Sequence, residues 1–133
     1  AKARDAGAPA RFDLGRSDLL PYPDANFDRV LSSLFFHHLS RESKRRTLEE
    51  ITRVLKPGGE LHVADWGKPS GPLMAGLFFG VRLFDGMDNT RDNADGALPQ
   101  MFADAGLSDA RQRDELRTAF GTLALYSAVR PAT

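Results

Sequence analysis

The chain has 133 residues, of which 41% are hydrophobic and 27% charged, so it has room for one ordinary globular domain. Its 18 Lys and Arg residues balance 18 Asp and Glu residues, so no overall field favours nucleic acid or an anionic membrane as a partner. There is no cysteine, which excludes disulfides and thiolate metal sites. We find no signal-peptide pattern and no apolar run long enough to cross a bilayer, and predict a cytoplasmic location.

The first predicted elements are short. Ala1–Ala6 is rich in helix formers and stops at Gly7, which is typical of the last turn of a helix. We therefore expect the chain to be a carboxyl-terminal portion of a longer domain, with a frayed terminus as the alternative. Arg11–Ser17 alternates weakly, with Phe12 and Leu14 on one face, and is predicted to be a strand.

The middle of the chain has the pattern of a βαβ unit. Two apolar runs, Phe27–Leu34 and Glu60–Trp66, are predicted strands. Between them, Ser40–Lys56 has the spacing of an amphipathic helix, which Pro57–Gly59 ends. Strands joined in this way run parallel, and ligands of such sheets bind beyond their carboxyl ends.

Titratable and aromatic side chains follow the predicted strand ends. His37 and His38 come after the first strand, and either could be a base or a packed residue; in an extended backbone they could not both point into one pocket. Asp65 and Trp66 end the second strand, where Trp66 could equally be core. His62 faces away from Asp65, and no recognisable ligand spacing joins these groups, so no metal is predicted.

The remainder of the chain predicts helices and a final hairpin. Ser70–Gly86 is apolar on nearly all sides and is expected to be a helix buried on more than one face, with a dimer interface as the alternative. Asn93–Ala105 has helical spacing with a start broken by Pro99. Asp109–Thr118 and Phe120–Arg130 are predicted antiparallel strands.

Several of these motifs together resemble one family. They are the segment Asp-Leu-Leu-Pro-Tyr-Pro-Asp-Ala-Asn-Phe-Asp from Asp18, a strand ending near His-His-Leu, and a helix closing on Arg-Val-Leu-Lys-Pro-Gly-Gly. This combination resembles the class I S-adenosylmethionine-dependent methyltransferases, in their small-molecule, UbiE-like branch. The resemblance implies a single α/β domain over 1–133, with a Rossmann-like, mainly parallel but incomplete sheet and a carboxyl-terminal antiparallel hairpin. The family's glycine-rich loop, and the acidic residue that ends its second strand and would hold the ribose hydroxyls, have no counterpart in the 133 residues.

The resemblance also implies which residues meet the cofactor, S-adenosylmethionine. It implies that Asp18 accepts a hydrogen bond from the adenine amino group and that the Leu19 amide meets a ring nitrogen. The alternative for Asp18 is an ordinary turn residue. Ser33 and Leu34 are expected on the methionine and ribose side. Without the glycine-rich loop, we expect this chain alone to bind the cofactor weakly or not at all.

The function implied is methyl transfer to a small, hydrophobic acceptor. A base would help a hydroxyl or amine acceptor, and neither nucleic acid nor a membrane is an expected partner. The alternative is a non-catalytic dimerising or binding module that keeps the scaffold, with a homodimer covering the exposed sheet edge, for example by strand exchange. A nicotinamide-dependent enzyme is disfavoured because the glycine fingerprint is missing. The candidate residues are His37, His38 and Asp65 for catalysis, and Phe35, Trp66 and Phe78 for substrate binding.

Overall fold

The computed structural model describes Gly7 and residues 9–133, so the predicted helical turn at Ala1–Ala6 lies outside the described residues. The fold consists of four strands, four α-helices and one 3₁₀ turn within that range. In chain order they are β1 (Phe27–Ser33), the 3₁₀ turn (Phe36–His38), α1 (Arg41–Val54), β2 (Leu55–Trp66), α2 (Pro72–Asp85), α3 (Arg91–Ala94), α4 (Leu98–Asp104), β3 (Ser108–Thr118) and β4 (Gly121–Val129).

The strands form one mixed sheet in the order β1-β2-β4-β3. β1 and β2 are parallel, with Ser33 opposite Ala64, while β4 pairs antiparallel with both β2 and β3. The predicted βαβ unit and final hairpin are therefore confirmed. Two of the three strand pairings in this sheet are antiparallel, so it is mixed where a mainly parallel sheet was expected. The parallel pairing brings the carboxyl ends of β1 and β2 to one edge, where the candidate residues lie.

Helix α1 forms where its spacing predicts it and covers one face of the sheet. Ser40 caps its start, since the Ser43 amide donates to Ser40 Oγ at 3.2 Å. Leu48 and Ile51 are buried in the core against the sheet. The helix ends at Val54, earlier than predicted, because the chain enters β2 at Leu55.

The core lies between the sheet and helices α1 and α4. Phe102 of α4 packs edge-on against Tyr126 of β4, with ring centroids 6.1 Å apart. Pro99 lies in the first turn of α4, as the predicted broken start requires, whereas Asn93 belongs to the separate helix α3. The buried hydrophobic residues of this core are Phe36, Leu48, Ile51, Leu55, Leu61, Val63, Leu98, Met101, Phe102, Leu107, Ala124, Tyr126 and Ala128.

The predicted strand at Arg11–Ser17 is wrong. This segment has no ladder, and its only pairing among the described residues is an isolated bridge between Arg16 and Leu19. Phe12 is exposed, so the weak alternation finds no core to bury its apolar face. A strand needs a partner and a packed face, and this segment has neither.

Helix α2 is confirmed as a helix, but its predicted burial is wrong. Of its fourteen residues, which are described throughout, only Met74 and Phe78 are buried. The helix contacts the sheet mainly near the start of β4, where Phe78 packs on Gly121. Five large apolar side chains consequently remain exposed on it: Leu73, Leu77, Phe79, Leu83 and Phe84.

Within the described part of the chain, no helix combines the length and the apolar character that crossing a bilayer demands.

Candidate functional site

The site is built on a sharp corner after β1. Leu34 takes a left-handed conformation, with φ of 49°, and its amide donates to the carbonyl of Ala64 at 2.8 Å. The chain then makes the 3₁₀ turn that contains both histidines. Because this backbone is helical, the two imidazoles lie on the same side, with ring centroids 4.0 Å apart. The backbone here is not extended, so the condition under which His37 and His38 would point apart does not apply.

The buried carboxylate of Asp65 holds this corner in place. The amides of Phe35 and Phe36 donate to its Oδ2 atom at 3.1 and 2.7 Å. The Trp66 amide donates to Oδ1 at 2.8 Å. Hydrogen bonds from three backbone amides to one carboxylate are charge-assisted, and they offset the free energy cost of burying the charge. Asp65 therefore ties the end of β2 to the turn after β1.

The same carboxylate orients a histidine. His37 Nδ1 lies 2.7 Å from Asp65 Oδ1, and because an ionised carboxylate only accepts, the proton of this bond belongs to His37 Nδ1. Asn93 Nδ2 donates to the same oxygen at 3.3 Å and to the Trp66 carbonyl at 2.7 Å. The His37 ring is consequently fixed, with its Nε2 atom directed away from Asp65.

Exposure separates the three predicted catalytic residues. The side chain of Asp65 is 0% exposed and that of His37 is 4% exposed, whereas that of His38 is 53% exposed. The His38 carbonyl accepts a hydrogen bond from Asn89 Nδ2 at 3.2 Å, which anchors the turn from its other side. The structure thus brings all three residues together, but only His38 is open to a molecule in solution.

The predicted acceptor-side residues lie near this corner at different depths. Trp66 is half-buried, and its ring centroid lies 6.3 Å from that of His37 and 5.8 Å from that of Phe78. Phe78 is 1% exposed, so it supports Trp66 from inside. Phe35 is exposed. Trp66 and Phe35 are therefore the members of this group that a ligand could contact.

Asp18 has a partner of its own in the structure. Arg16 donates to both of its carboxylate oxygens, at 2.9 and 2.8 Å, and this hydrogen-bonded guanidinium lowers the pKa of Asp18. The Leu19 amide donates to the Arg16 carbonyl at 3.1 Å. Both groups that the resemblance assigns to adenine are thus engaged with Arg16, an exposed residue.

The loop that carries Asp18 does share a cavity with the end of β1. The loop is fixed to α1, because Ser17 Oγ lies 2.9 Å from Thr47 Oγ1 and the Leu20 amide donates to Glu50 at 2.8 Å. A cavity of about 160 Å³ lies beside these contacts. Its lining consists of Ser17, Leu20, Val30, Leu31, Ser32, Phe35, Phe36, Thr47 and Ile51, and does not include Asp18, Leu19, Ser33 or Leu34.

Sequence reasoning missed two residues of this site. Asp85, the last residue of α2, lies 3.6 Å from both His37 and His38. Asn93 is fully buried beside Asp65. Neither has a spacing signal, because their partners lie far away along the chain; the one available hint is a charged residue ending an apolar helix before Gly86.

The fold is that of the Rossmann-like methyltransferases. A solved S-adenosylmethionine-dependent methyltransferase from Methanosarcina mazei aligns with a TM-score of 0.65 at 18% identity, covering 92% of this chain and 66% of its own. YcgJ from Bacillus subtilis aligns with a TM-score of 0.68 at 18% identity, covering 96% of this chain and 73% of its own.

Sequence comparison confirms the resemblance. Residues 1–63 match the model of a methyltransferase domain. The ubiquinone/menaquinone biosynthesis C-methyltransferase UbiE of Hydrogenovibrio crunogenus is 41% identical over 64 residues, which are 48% of this chain and 24% of the relative. A putative methyltransferase of Encephalitozoon cuniculi is 44% identical over 66 residues, 47% of this chain and 31% of the relative. The matched region is thus under a third of either relative's length.

Proposed function

We propose that the protein transfers a methyl group from S-adenosylmethionine to a small, hydrophobic acceptor. The observation that carries the proposal is the His37–Asp65 pair at the shared carboxyl edge of two parallel strands, in a chain whose residues 1–63 match a methyltransferase domain. Ligands of parallel sheets bind beyond that edge. Because the matches span under a third of the curated relatives, the proposal concerns the whole gene product.

The chemistry demands little from the protein. An electron pair of the acceptor forms a bond to the methyl carbon, the carbon–sulfur bond of the sulfonium breaks, and its electron pair stays on sulfur as a thioether. Any proton displaced from the acceptor passes to a base. The protein must align the reactants and exclude water, so one base and an apolar surface are sufficient.

The arrangement divides the work among the residues at the corner. His38 is the proton acceptor in this proposal, because its ring is the exposed member of the set. Asp65 and His37 are positioning residues, since they are buried and hold the turn that carries His38. Trp66 and Phe35 supply the apolar surface against which the acceptor lies.

On the cofactor side, Asp18 is proposed to meet adenine. Its carboxylate has about four acceptor positions, of which the Arg16 guanidinium fills two, so the adenine amino group gains easier access when that guanidinium moves away. Arg16 can do so because its side chain is 76% exposed. Ser33 and Leu34, at the end of β1, are proposed for the methionine and ribose side.

A hydrophobic, aromatic acceptor is supported by two observations. The residues around the corner include the half-buried Trp66 and the exposed Phe35. The curated relatives include enzymes named as ubiquinone/menaquinone C-methyltransferases and a demethylmenaquinone methyltransferase. A demethylated quinol is therefore the first acceptor to test.

The test is made on the purified gene product. Calorimetric titration with S-adenosylmethionine and its demethylated product measures binding, and transfer of a labelled methyl group to the quinol measures activity. We expect saturable binding by the gene product. Methyl transfer should fall at least tenfold in His38→Ala. It should not change in the matched control His62→Ala, because His62 lies within β2, beside Glu60, and not at the corner.

A non-catalytic binding module is the competing function, and the exposed apolar side chains of α2 favour it. The gene product would then bind neither nucleoside, even at millimolar concentration, and would carry no labelled methyl to any acceptor. That result would overturn the methyltransferase proposal.

A further inference from the structure

Three side chains of metal-ligating type meet at the corner after β1: the two histidines that the sequence analysis grouped and an aspartate that it missed. His37, His38 and Asp85 each present a ligand atom, and these atoms all lie within 4.8 Å of one another. Asp85 Oδ2 is 3.6 Å from His37 Nε2, and Asp85 Oδ1 is 3.6 Å from His38 Nδ1. We propose that these three residues bind a divalent transition-metal ion of the zinc type.

The hydrogen bond to Asp65 fixes the tautomer of His37 in the form that can bind a metal. Its Nδ1 proton is held by Asp65, so a neutral ring presents the lone pair of Nε2 to the Asp85 carboxylate. In this tautomer two acceptors face each other, and a metal cation between them would satisfy both. In metal sites, a ligating histidine almost always donates its other N–H to a carboxylate or carbonyl, which is the arrangement of Asp65 and His37.

The spacing also suits zinc. Zinc binds imidazole nitrogen and carboxylate oxygen at about 2.0–2.2 Å, so tetrahedral ligands lie about 3.4 Å apart. The two separations of 3.6 Å, which involve different oxygens of Asp85, are close to this value. The three ligand atoms lie within 4.8 Å of one another, so the side chains must draw together as the ion binds. His38 and Asp85 are 53% and 25% exposed, which gives an ion access and leaves its fourth position to solvent.

The charges around Asp85 and the hydrogen bonds that hold the two histidines are consistent with a cation between these three residues. Among the described residues, Asp85 has no Lys or Arg within ion-pairing distance, so its charge is free to serve a metal. His38 is held through its carbonyl by Asn89, and His37 through its ring by Asp65. Two imidazoles with one carboxylate favour zinc, cobalt or nickel over magnesium, which prefers oxygen ligands alone.

The test is metal binding by the untagged protein, stripped of metal beforehand. Titration with Zn²⁺ by calorimetry should show one saturable site per chain, and Co²⁺ should give the visible absorption of a tetrahedral ion that Zn²⁺ then displaces. Mg²⁺ should not compete. Asp85→Asn and His38→Ala should each weaken Zn²⁺ binding tenfold or more, while the matched control His62→Ala should bind as the parent does.

Folding of each variant is checked by its melting temperature in the presence of a chelator. Absence of saturable Zn²⁺ binding, unchanged affinity in a folded Asp85→Asn protein, or an equal loss in His62→Ala would overturn the proposal. None of these outcomes depends on methyl transfer. A second readout rests on the proposed function: an ion here binds the ring of His38, which is assigned to proton transfer, so Zn²⁺ should lower methyl transfer by the parent protein.

Discussion

Helices α1 and α2 have the same length of fourteen residues and opposite relations to the core. Helix α1 is highly charged, yet five of its residues are buried: Lys44, Thr47, Leu48, Ile51 and Val54. Helix α2 is mostly apolar, yet only Met74 and Phe78 are buried.

The difference shows that pattern, more than apolar content, decides which helix packs. In α1 the apolar residues form one stripe, and the charged residues pair with each other on the outer face, as Arg45 does with Glu42. In α2 apolar side chains point in all directions, so contact with one end of the sheet leaves most of them uncovered. We therefore predict that substitutions at the buried residues of α1 destabilise the protein, and that substitutions at the exposed residues of α2 have little effect on its stability.

The largest effect is expected for Lys44→Ala in α1. Its ammonium group is fully buried, hydrogen-bonds the Asn89 carbonyl and lies 3.4 Å from Asp92 Oδ2. Removing it leaves Asp92 buried with the exposed Arg41 as its remaining partner, and we expect a loss of about 3–5 kcal/mol in the free energy of unfolding.

The matched control is Arg45→Ala, on the exposed face of the same helix. Its ion pairs with Glu42 and Glu49 are screened by solvent, so the change should cost at most about 1 kcal/mol. Urea unfolding of both variants measures the contrast. Equal losses would show that Asp92 does not depend on Lys44.

The second prediction compares one leucine from each helix. Leu48 of α1 is 0% exposed and Leu73 of α2 is 73% exposed. We expect Leu48→Ala to cost about 2–5 kcal/mol through lost burial and a cavity, and Leu73→Ala to stay within about 0.5 kcal/mol. A clear loss in Leu73→Ala, growing with protein concentration, would instead show that α2 is covered by a second copy.

A smaller effect is expected at the start of α1. Ser40 Oγ accepts the Ser43 amide, and this cap satisfies one of the free donors of the first turn. Ser40→Ala should therefore cost about 1 kcal/mol, whereas Ser40→Asp, which keeps an acceptor, should cost less. Thermal unfolding measures both variants, and identical melting temperatures in Ser40→Ala and the parent would contradict a stabilising cap.

At neutral pH, the smallest change in the free energy of unfolding is expected for a substitution of Tyr126, in the core that α1 helps to cover. The buried Tyr126 hydroxyl has no hydrogen-bond partner among the described residues, so Tyr126→Phe should change stability by less than about 1 kcal/mol. Burial raises the pKa of Tyr126. Above about pH 10 the unfolded chain then releases a proton that the folded chain retains, so stability falls as pH rises.

Tyr126→Phe removes that contribution. Its stability should therefore decline less steeply than that of the parent between neutral and strongly alkaline pH, as measured by urea unfolding at each pH. Parallel curves for the two proteins would show that the hydroxyl ionises alike in both states.

Much of the fold was predictable because it rests on local patterns. The helical spacing of Leu48 and Ile51, the cap at Ser40 and the two apolar runs around them define the βαβ unit without tertiary information. The strand predicted at Arg11–Ser17 failed because weak alternation says nothing about whether a partner strand exists. The prediction that α2 is buried failed for a similar reason, since an apolar sequence does not supply the surface against which a helix packs.

The candidate site was predictable only in part. The topology rule placed His37 and Asp65 at one edge, and the structure brings them within 2.7 Å. The direction of their side chains was not predictable, because it depends on a 3₁₀ turn held by hydrogen bonds to a carboxylate on another strand. Asp85 was missed because its relation to the histidines exists only after α2 packs.

The sequence by itself determined the order and kind of the central elements and the resemblance to methyltransferases, since periodicity, caps and turn residues act over a few neighbouring positions. Only the tertiary structure decided that Asp65 is buried beneath His37 and that Asp85 joins the two histidines. These contacts join residues distant along the chain, and their geometry depends on how helices and strands pack, which no local pattern encodes.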